Sequence, residues 1–200
     1  RSSDLVTLIE KSGTLGGKLN IDSMAPFKKE LGKYKDFQIK RVLEADIDVR
    51  TNTEATPERI KKLGADALIC AFGSRPNIPP IPGIGSKNVM LITDFYASLT
   101  SEKVNAPASL AVIGGGGSDC ETAVFSAGLF GIRPAVLEMR ESVCADSYSL
   151  TRDEICEQLE KKADVFTSVS VEEITENGVY YKDAGGKNCF VKADIVVIAC

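Results

Sequence analysis

The 200-residue chain contains no histidine. Any general acid or base that is a histidine, and any metal site relying on imidazole, therefore lies outside it. Its six cysteines, Cys70, Cys120, Cys144, Cys156, Cys189 and Cys200, include no C-x-x-C pair and no metal-ligand spacing. That counts against disulfide-reductase chemistry, which needs a paired dithiol beside its flavin, and scattered thiols suit a reducing cytoplasm. Basic residues are not in excess. With 24 Lys and Arg against 28 Asp and Glu, the formal charge is −4, and no basic face is available to neutralise nucleic-acid phosphates. No apolar run is long enough to span a bilayer and no secretory signal is visible, so neither nucleic acid nor membrane is an expected partner. Aromatic residues make up only 6% and apolar residues 44%, an ordinary α/β composition with length for one large or two small domains.

Glycine is where the chain is rich. The stretch Leu110-Ala111-Val112-Ile113-Gly114-Gly115-Gly116-Gly117-Ser118-Asp119-Cys120-Glu121-Thr122-Ala123 carries an apolar run into glycines and then into a helix-forming segment. This is how a parallel strand delivers a nucleotide's phosphates to a helix N-terminus, where backbone N–H groups and the helix dipole attract the anion. The fingerprint asks for three glycines: one for a tight turn, one for close approach to the pyrophosphate, one for packing of helix on strand. Counted from Gly114, the first two fall on Gly114 and Gly116 and the third on Asp119. Counted from Gly115, they fall on Gly115, Gly117 and Cys120. The first frame keeps Cys120-Glu121-Thr122-Ala123 at the usual place on the helix and is preferred.

Asp119 has two readings: an N-cap of the helix, or a carboxylate that repels the pyrophosphate. Unit charges ~6 Å apart at an effective dielectric of ~20 interact by roughly 3 kcal/mol, about a hundredfold in affinity. About twenty residues on, Val136-Leu137-Glu138 supplies a strand ending in an acid, where such folds accept a hydrogen bond from the ribose 2′-hydroxyl. That favours NADH, although Arg140 nearby could accommodate a 2′-phosphate and Glu138 could be a solvated charge at a strand end.

The chain opens on another β-rich run ending in an acid, Leu5-Val6-Thr7-Leu8-Ile9-Glu10-Lys11, followed by Leu15-Gly16-Gly17-Lys18-Leu19. This reads as the second strand of a further dinucleotide unit, with Glu10 poised for an adenosine ribose and the glycine pair allowing close backbone approach. The first strand of that unit, with its own fingerprint, is expected before residue 1, so the chain reads as a piece of a longer protein. Asp66 to Phe72 is expected as a buried strand ending at Gly73, followed by the proline-rich connector from Pro76. Ala193 to Cys200 repeats the Ala-Asp, apolar, Cys pattern of Ala65 to Ala71, which implies two homologous nucleotide-binding halves.

The order of these motifs, Val-Thr-Leu-Ile-Glu-Lys with Leu-Gly-Gly-Lys-Leu, then Ala-Phe-Gly-Ser-Arg-Pro with Ile-Pro-Gly-Ile, then Val-Ile-Gly-Gly-Gly with Cys-Glu-Thr-Ala, resembles the two-dinucleotide-fold flavoproteins related to pyridine-nucleotide–disulfide reductases. Gly-Gly-Lys-Leu-Asn and Val-Leu-Glu-Met-Arg are most similar to the C-terminal region of NADH:flavin oxidoreductases of the 2,4-dienoyl-CoA reductase and 2-enoate reductase type. The resemblance covers essentially the whole chain. It implies an FAD domain interrupted by an NAD domain, and, before this region, a barrel carrying FMN, an iron–sulfur cluster and the enoate-reducing site. Carried over position by position, Glu10, Lys11, Gly16 and Gly17 would line the FAD site, with Ala71 and Gly73 near the same cofactor. Gly114 and Gly116, with Gly115 and Gly117 in the same loop, and Glu138 would serve NADH. Glu121 would lie where nicotinamide meets flavin. Asp119 stands where the family has glycine.

The expected fold is thus α/β, with Rossmann-like units on mainly parallel sheets. Residues 1–104 form a partial FAD-binding domain with connector, and 105–200 an NAD-binding domain. Expected helices are Pro26 to Ala45, Pro57 to about Gly64 behind a Thr56 N-cap, Thr93 to Leu99, Ser118 to Phe130, and Leu150 to Lys162 capped by Ser149 or Thr151. Val165 to Thr175 is expected as one strand, and Val179-Tyr180-Tyr181 with Cys189-Phe190-Val191 as a hairpin about Gly185-Gly186. The cluster Lys28-Lys29, Lys33, Lys35 and Lys40-Arg41 reads as a solvated helix face, the alternative being a docking patch for an acidic CoA substrate. The leading function is the nucleotide-binding portion of a flavin oxidoreductase. Hydride would pass from NADH to FAD and electrons onward to the rest of the same polypeptide, with no catalytic or metal-binding residue in this chain. Two alternatives stand beside it: a non-catalytic adenine-nucleotide module, motivated by Asp119, and a stand-alone FAD-dependent NADH reductase.

Overall fold

A computed structural model describes residues 5–24, 28–100 and 105–199. The chain divides into two compact units, Arg1–Ser74 and Arg75–Cys200. In the first, strand β1 (Thr7–Ile9) and strand β2 (Asp48–Arg50) pair in parallel, with Leu8 opposite Val49. Between them run helix α1 (Leu19–Asp22) and helix α2 (Lys29–Glu44), and helix α3 (Pro57–Leu63) follows. The limits of α3 are written in its sequence. Thr56 Oγ1 accepts from the Arg59 N–H at 3.3 Å, Pro57 sits in the first turn, and Gly64 ends the helix at φ +62°. The expected start of α2 at Pro26 lies outside the described residues.

Asp66 to Phe72 is not the buried strand its composition suggests. The segment has no regular structure, Ile69 is 90% and Phe72 87% exposed, and Cys70 is exposed with them. An apolar run becomes a strand only where neighbouring edges take up its N–H and C=O groups. Among the described residues, the first unit's sheet consists of β1 and β2 alone. Its near-repeat at the other end of the chain has neighbours on both sides, and there the strand forms. Cys200 lies outside the described residues.

The second unit begins with strand β3 (Val89–Leu91) and helix α4 (Ile92–Thr100), followed by strand β4 (Leu110–Ile113), helix α5 (Gly117–Phe130), strand β5 (Ala135–Leu137), helix α6 (Ser149–Lys162) and strand β6 (Asp164–Phe166). An antiparallel meander of β7 (Ser170–Thr175), β8 (Gly178–Lys182) and β9 (Asn188–Lys192) precedes the last strand, β10 (Ile195–Ile198). The main sheet is parallel throughout, in the order β3-β10-β4-β5-β6. Residues 75–104, read from sequence as connector to the first domain, thus give β3 to this sheet. Among the described residues, no helix is long and apolar enough to cross a membrane.

Every residue of β4 and β5 is buried, as expected of parallel strands covered on both faces. Ile113, Leu137, Val196 and Ile198 pack against Val169, Ile174, Val179 and Tyr181 from the meander side, each large side chain contributing about 2 kcal/mol by burial. The alternate residues Leu110, Val112, Val136 and Val197, also buried, project to the opposite face. Phe95 and Tyr96 of α4 meet edge to face at 5.7 Å, and Tyr96 stacks on Phe125 of α5 at 5.6 Å.

The single strand expected over Val165 to Thr175 is two strands. Ser168 turns at φ +54°, its N–H donating to the Arg140 carbonyl at 2.8 Å. The turn takes the chain out of the parallel sheet into the antiparallel one. The hairpin about Gly185-Gly186 forms as expected, and Asp183 Oδ1 accepts from the N–H groups of Gly185 and Lys187, both at 2.9 Å. Helix α6 is preceded by Tyr148, which makes no side-chain cap, and Thr151 lies inside the helix; the side chain of Ser149 lies outside the described residues.

Candidate functional site

The second unit's glycine run lies where β4 hands over to α5. Gly114 turns at φ +123°, a conformation that side-chain-bearing residues rarely adopt. Gly116 flanks the helix at φ −68° and ψ 173°, and α5 starts at Gly117. The tight turn therefore falls on Gly114, as the frame Gly114, Gly116, Asp119 requires. Asp119 is not the N-cap. It is the third residue of the helix, 5% exposed, and its Oδ2 accepts from the Gly116 N–H at 2.7 Å, the reciprocal bond of a capping box. The next N–H, that of Gly117, donates to Asp146 Oδ1 at 3.0 Å.

Glu138 follows directly on β5 and is 7% exposed. Its Oε1 accepts from the Arg140 N–H at 2.6 Å, which holds the side chain back over the glycine turn. A Cβ at Gly115 would stand 2.7 Å from both Cβ and Cγ of Glu138. Glycine at 115 is thus what lets the acid lie against the loop. This places a carboxylate beside the turn, as a ribose-reading site requires, and Gly115 is as much a part of the arrangement as Gly114.

Three carboxylates surround two helix N–H groups. Burial pushes Asp119 up to about 6; the Gly116 N–H draws it down, while Asp146 and Glu138 push it further up. A carboxyl raised in the fold binds its proton more tightly folded than unfolded. Its contribution to stability is therefore full below the ordinary Asp range and is lost as pH rises from about 4 through about 6. Asp119→Asn is expected to flatten the decline in urea-unfolding free energy across that window, by comparison with the parent chain. An unchanged difference between the two proteins from pH 4 to 7 would show that Asp119 titrates normally.

The segment 139–148 between β5 and α6 lies across the glycine loop. The Cys144 N–H donates to the Gly115 carbonyl at 2.7 Å, and the Ser147 N–H to the Cys144 carbonyl at 3.1 Å. Cys144 itself takes a left-handed φ of +54° and is buried. Three cysteines that look scattered in sequence come together here. Burial pushes the Cys144 thiol up to about 11 and that of Cys120 higher still, and each feels the other and Cys156. Such buried thiols are poor nucleophiles. Among the described residues, no three His, Cys, Asp or Glu side chains are grouped to hold a metal ion.

Sequence motifs do not reveal Asp146, Ser147 or Cys144 as neighbours of the loop. The one available signal is length, since strand-to-helix connections of this kind are usually 2–6 residues. Glu121 lies on α5 and is half-buried, within the helix that the glycine loop opens.

In the first unit, Glu10 follows β1, and its Oε1 accepts from the Ser12 N–H at 2.7 Å. Lys11 Nζ lies 2.9 Å from Glu54 Oε1. Gly16 and Gly17 turn at φ +112° and +50° into α1, and the Leu19 N–H donates to the Gly16 carbonyl at 3.0 Å. Glu10 and the glycine turn thus stand on the two sides of one short loop. Ala71 and Gly73, the latter at φ +73°, sit on the exposed segment without regular structure.

Strand, glycine turn, helix and a carboxylate at the end of the adjacent parallel strand together define a Rossmann-like dinucleotide-binding unit. The chain belongs to the pyridine nucleotide-disulphide oxidoreductase family, which it matches over residues 7–200. It is 33% identical over 195 residues to the bilirubin reductase of Mediterraneibacter gnavus, covering 97% of this chain and 30% of that protein. To the NADH oxidase of Thermoanaerobacter brockii it is 31% identical over 195 residues, again 97% of this chain and 30% of the relative. Among solved structures, a 2-naphthoyl-CoA reductase complexed with 2-naphthoyl-CoA superposes with a TM-score of 0.83 at 30% identity, over 98% of this chain and 29% of that one. The chain spans about 30% of the length of these relatives. The resemblance carried by the motif order is therefore borne out: the chain is a Rossmann-like domain of the pyridine nucleotide-disulphide oxidoreductase family.

Beside Gly115, Glu138 supplies a carboxylate of the kind that accepts from an adenosine ribose. On the pyrophosphate side, the N–H groups of Gly116 and Gly117 already hold the chain's own carboxylates.

Proposed function

We propose that the chain is the nucleotide-binding portion of a multi-cofactor flavin oxidoreductase, the first unit, to residue 74, serving FAD and the second, from residue 75, serving NADH. The observation that carries this reading is the juxtaposition of the Gly114 turn, the N-terminus of α5 and the Glu138 carboxylate. When bound, NADH supplies a hydride and FAD accepts it. This chain's residues bind and orient. Glu138 accepts from ribose hydroxyls, Gly114, Gly115, Gly116 and Gly117 bring backbone close to the pyrophosphate, and Glu121, on the helix that this loop opens, serves the nicotinamide end of NADH. Glu10, Lys11, Gly16, Gly17, Ala71 and Gly73 serve FAD in the same way. Electrons continue to FMN and an iron–sulfur cluster in a separate enoate-reducing domain of the same cytoplasmic polypeptide. The share of the relatives' length that the chain covers supports a larger whole.

The second reading, a non-catalytic module for an adenine nucleotide, is favoured by one observation, the carboxylates on the loop N–H groups. Intact mass, released flavin and iron content of the natural full-length protein test the proposal. A polypeptide several hundred residues longer with FAD, FMN and iron is expected. A protein with FAD alone and no iron would leave a simple NADH-dependent flavin reductase.

A further inference from the structure

We propose that segment 139–148 is a strap that holds the pyrophosphate site of the second unit closed, with the Asp146 carboxylate standing in for a phosphate oxygen on the Gly117 N–H. The inference rests on reading Gly114–Gly117 as the dinucleotide loop and concerns how that loop is filled. Asp146 Oδ1 takes the Gly117 N–H at 3.0 Å, while Asp119 Oδ2 takes the Gly116 N–H at 2.7 Å. Space that glycine leaves open is occupied from the same side. A Cβ on Gly116 would stand 3.2 Å from both Asp119 Oδ2 and Asp146 Oδ2, and one on Gly117 would run into Ser147 Oγ. These are the directions from which a pyrophosphate approaches a glycine loop.

The two carboxylates differ in what can move. Asp119 is buried within the first turn of α5, whereas Asp146 is exposed and reaches the loop from a segment between elements. The strap is fastened at its middle by the Cys144 N–H on the Gly115 carbonyl and at its start by the Arg140 carbonyl, which accepts from Ser168. The Ser147 N–H donates to the Cys144 carbonyl and ties the backbone on the far side of Asp146, so it is the exposed Asp146 side chain that rotates off Gly117 while Cys144 stays seated. An incoming pyrophosphate exchanges one charge-assisted hydrogen bond for another at Gly117, and must also displace a negative charge. The strap thus lowers affinity for any ligand with a pyrophosphate and leaves affinity for a bare nucleoside untouched.

The test is calorimetric titration of ADP-ribose and of adenosine into the natural full-length protein and its Asp146→Ala variant. Asp146→Asn, which keeps the acceptor oxygen and loses the charge, serves as the second variant. Asp146→Ala is expected to bind ADP-ribose roughly tenfold more tightly, Asp146→Asn to fall between it and the parent, and adenosine to bind all three alike. Equal or weaker ADP-ribose binding by Asp146→Ala, with the parent binding normally, would overturn the strap and leave the site reading standing. Binding of ADP-ribose to none of the three would overturn both.

Discussion

Asp119→Gly is expected to bind NADH about a hundredfold more tightly than the parent chain. The carboxylate sits where the fingerprint asks for a third glycine, and it accepts the Gly116 N–H at 2.7 Å. With a pyrophosphate charge ~6 Å away and an effective dielectric of ~20, the repulsion is roughly 3 kcal/mol. Removing the side chain also frees a helix N–H to donate to the ligand. The gain is largest above pH 7, where Asp119 is ionised, and shrinks below about 6, where burial has already returned its proton. High salt diminishes it too. Loss of the capping bond costs the free protein about 1 kcal/mol, a cost visible in urea unfolding and separable from affinity. Calorimetry at low ionic strength and pH 8 reads the effect directly. Unchanged affinity would mean that the pyrophosphate does not approach this turn.

Gly115→Ala carries the second large effect, with the opposite sign. Its Cβ would stand 2.7 Å from Cβ and Cγ of Glu138. Those atoms are the root of a buried side chain on the residue after β5, and they cannot swing aside as a flexible tip could. Overpacking of this kind costs about 1–3 kcal/mol. Relief by moving Glu138 would cost the ribose acceptor, so NADH affinity falls in the same variant. Gly128 is the internal control, because a Cβ there meets nothing within 4 Å and the position is helical. Gly128→Ala is expected to stabilise by about 0.5–1 kcal/mol. Loss of stability at position 128 equal to that at 115 would contradict the packing account.

The glycine loop is legible in the sequence because each of its parts has a local cause. An all-apolar run forms β4, Gly114 makes the turn, and the distance to Glu138 follows from one helix and one strand. The limits of α3 are legible for the same reason, with Thr56, Pro57 and Gly64 each acting on its own backbone. Long-range partnership is less legible. The segments 65–71 and 193–199 share a pattern, yet only the second forms a strand, because β3 and β4 flank it. Likewise nothing in Cys144-Ala145-Asp146-Ser147 announces that it folds onto Gly115 and Gly117. The start of the same segment is tied by the Ser168 N–H to the Arg140 carbonyl, from a turn at φ +54° in a residue with no glycine signal.

Anaerobic mixing of the natural full-length protein with NADH, followed by flavin absorbance, tests whether Gly114–Gly117 and Glu138 seat NADH for transfer to FAD. Rapid bleaching of the flavin is expected, slowed or abolished in Glu138→Ala and restored at higher NADH. Full FAD occupancy with NADH bound and no bleaching would contradict the account and leave an adenine-nucleotide module in its place.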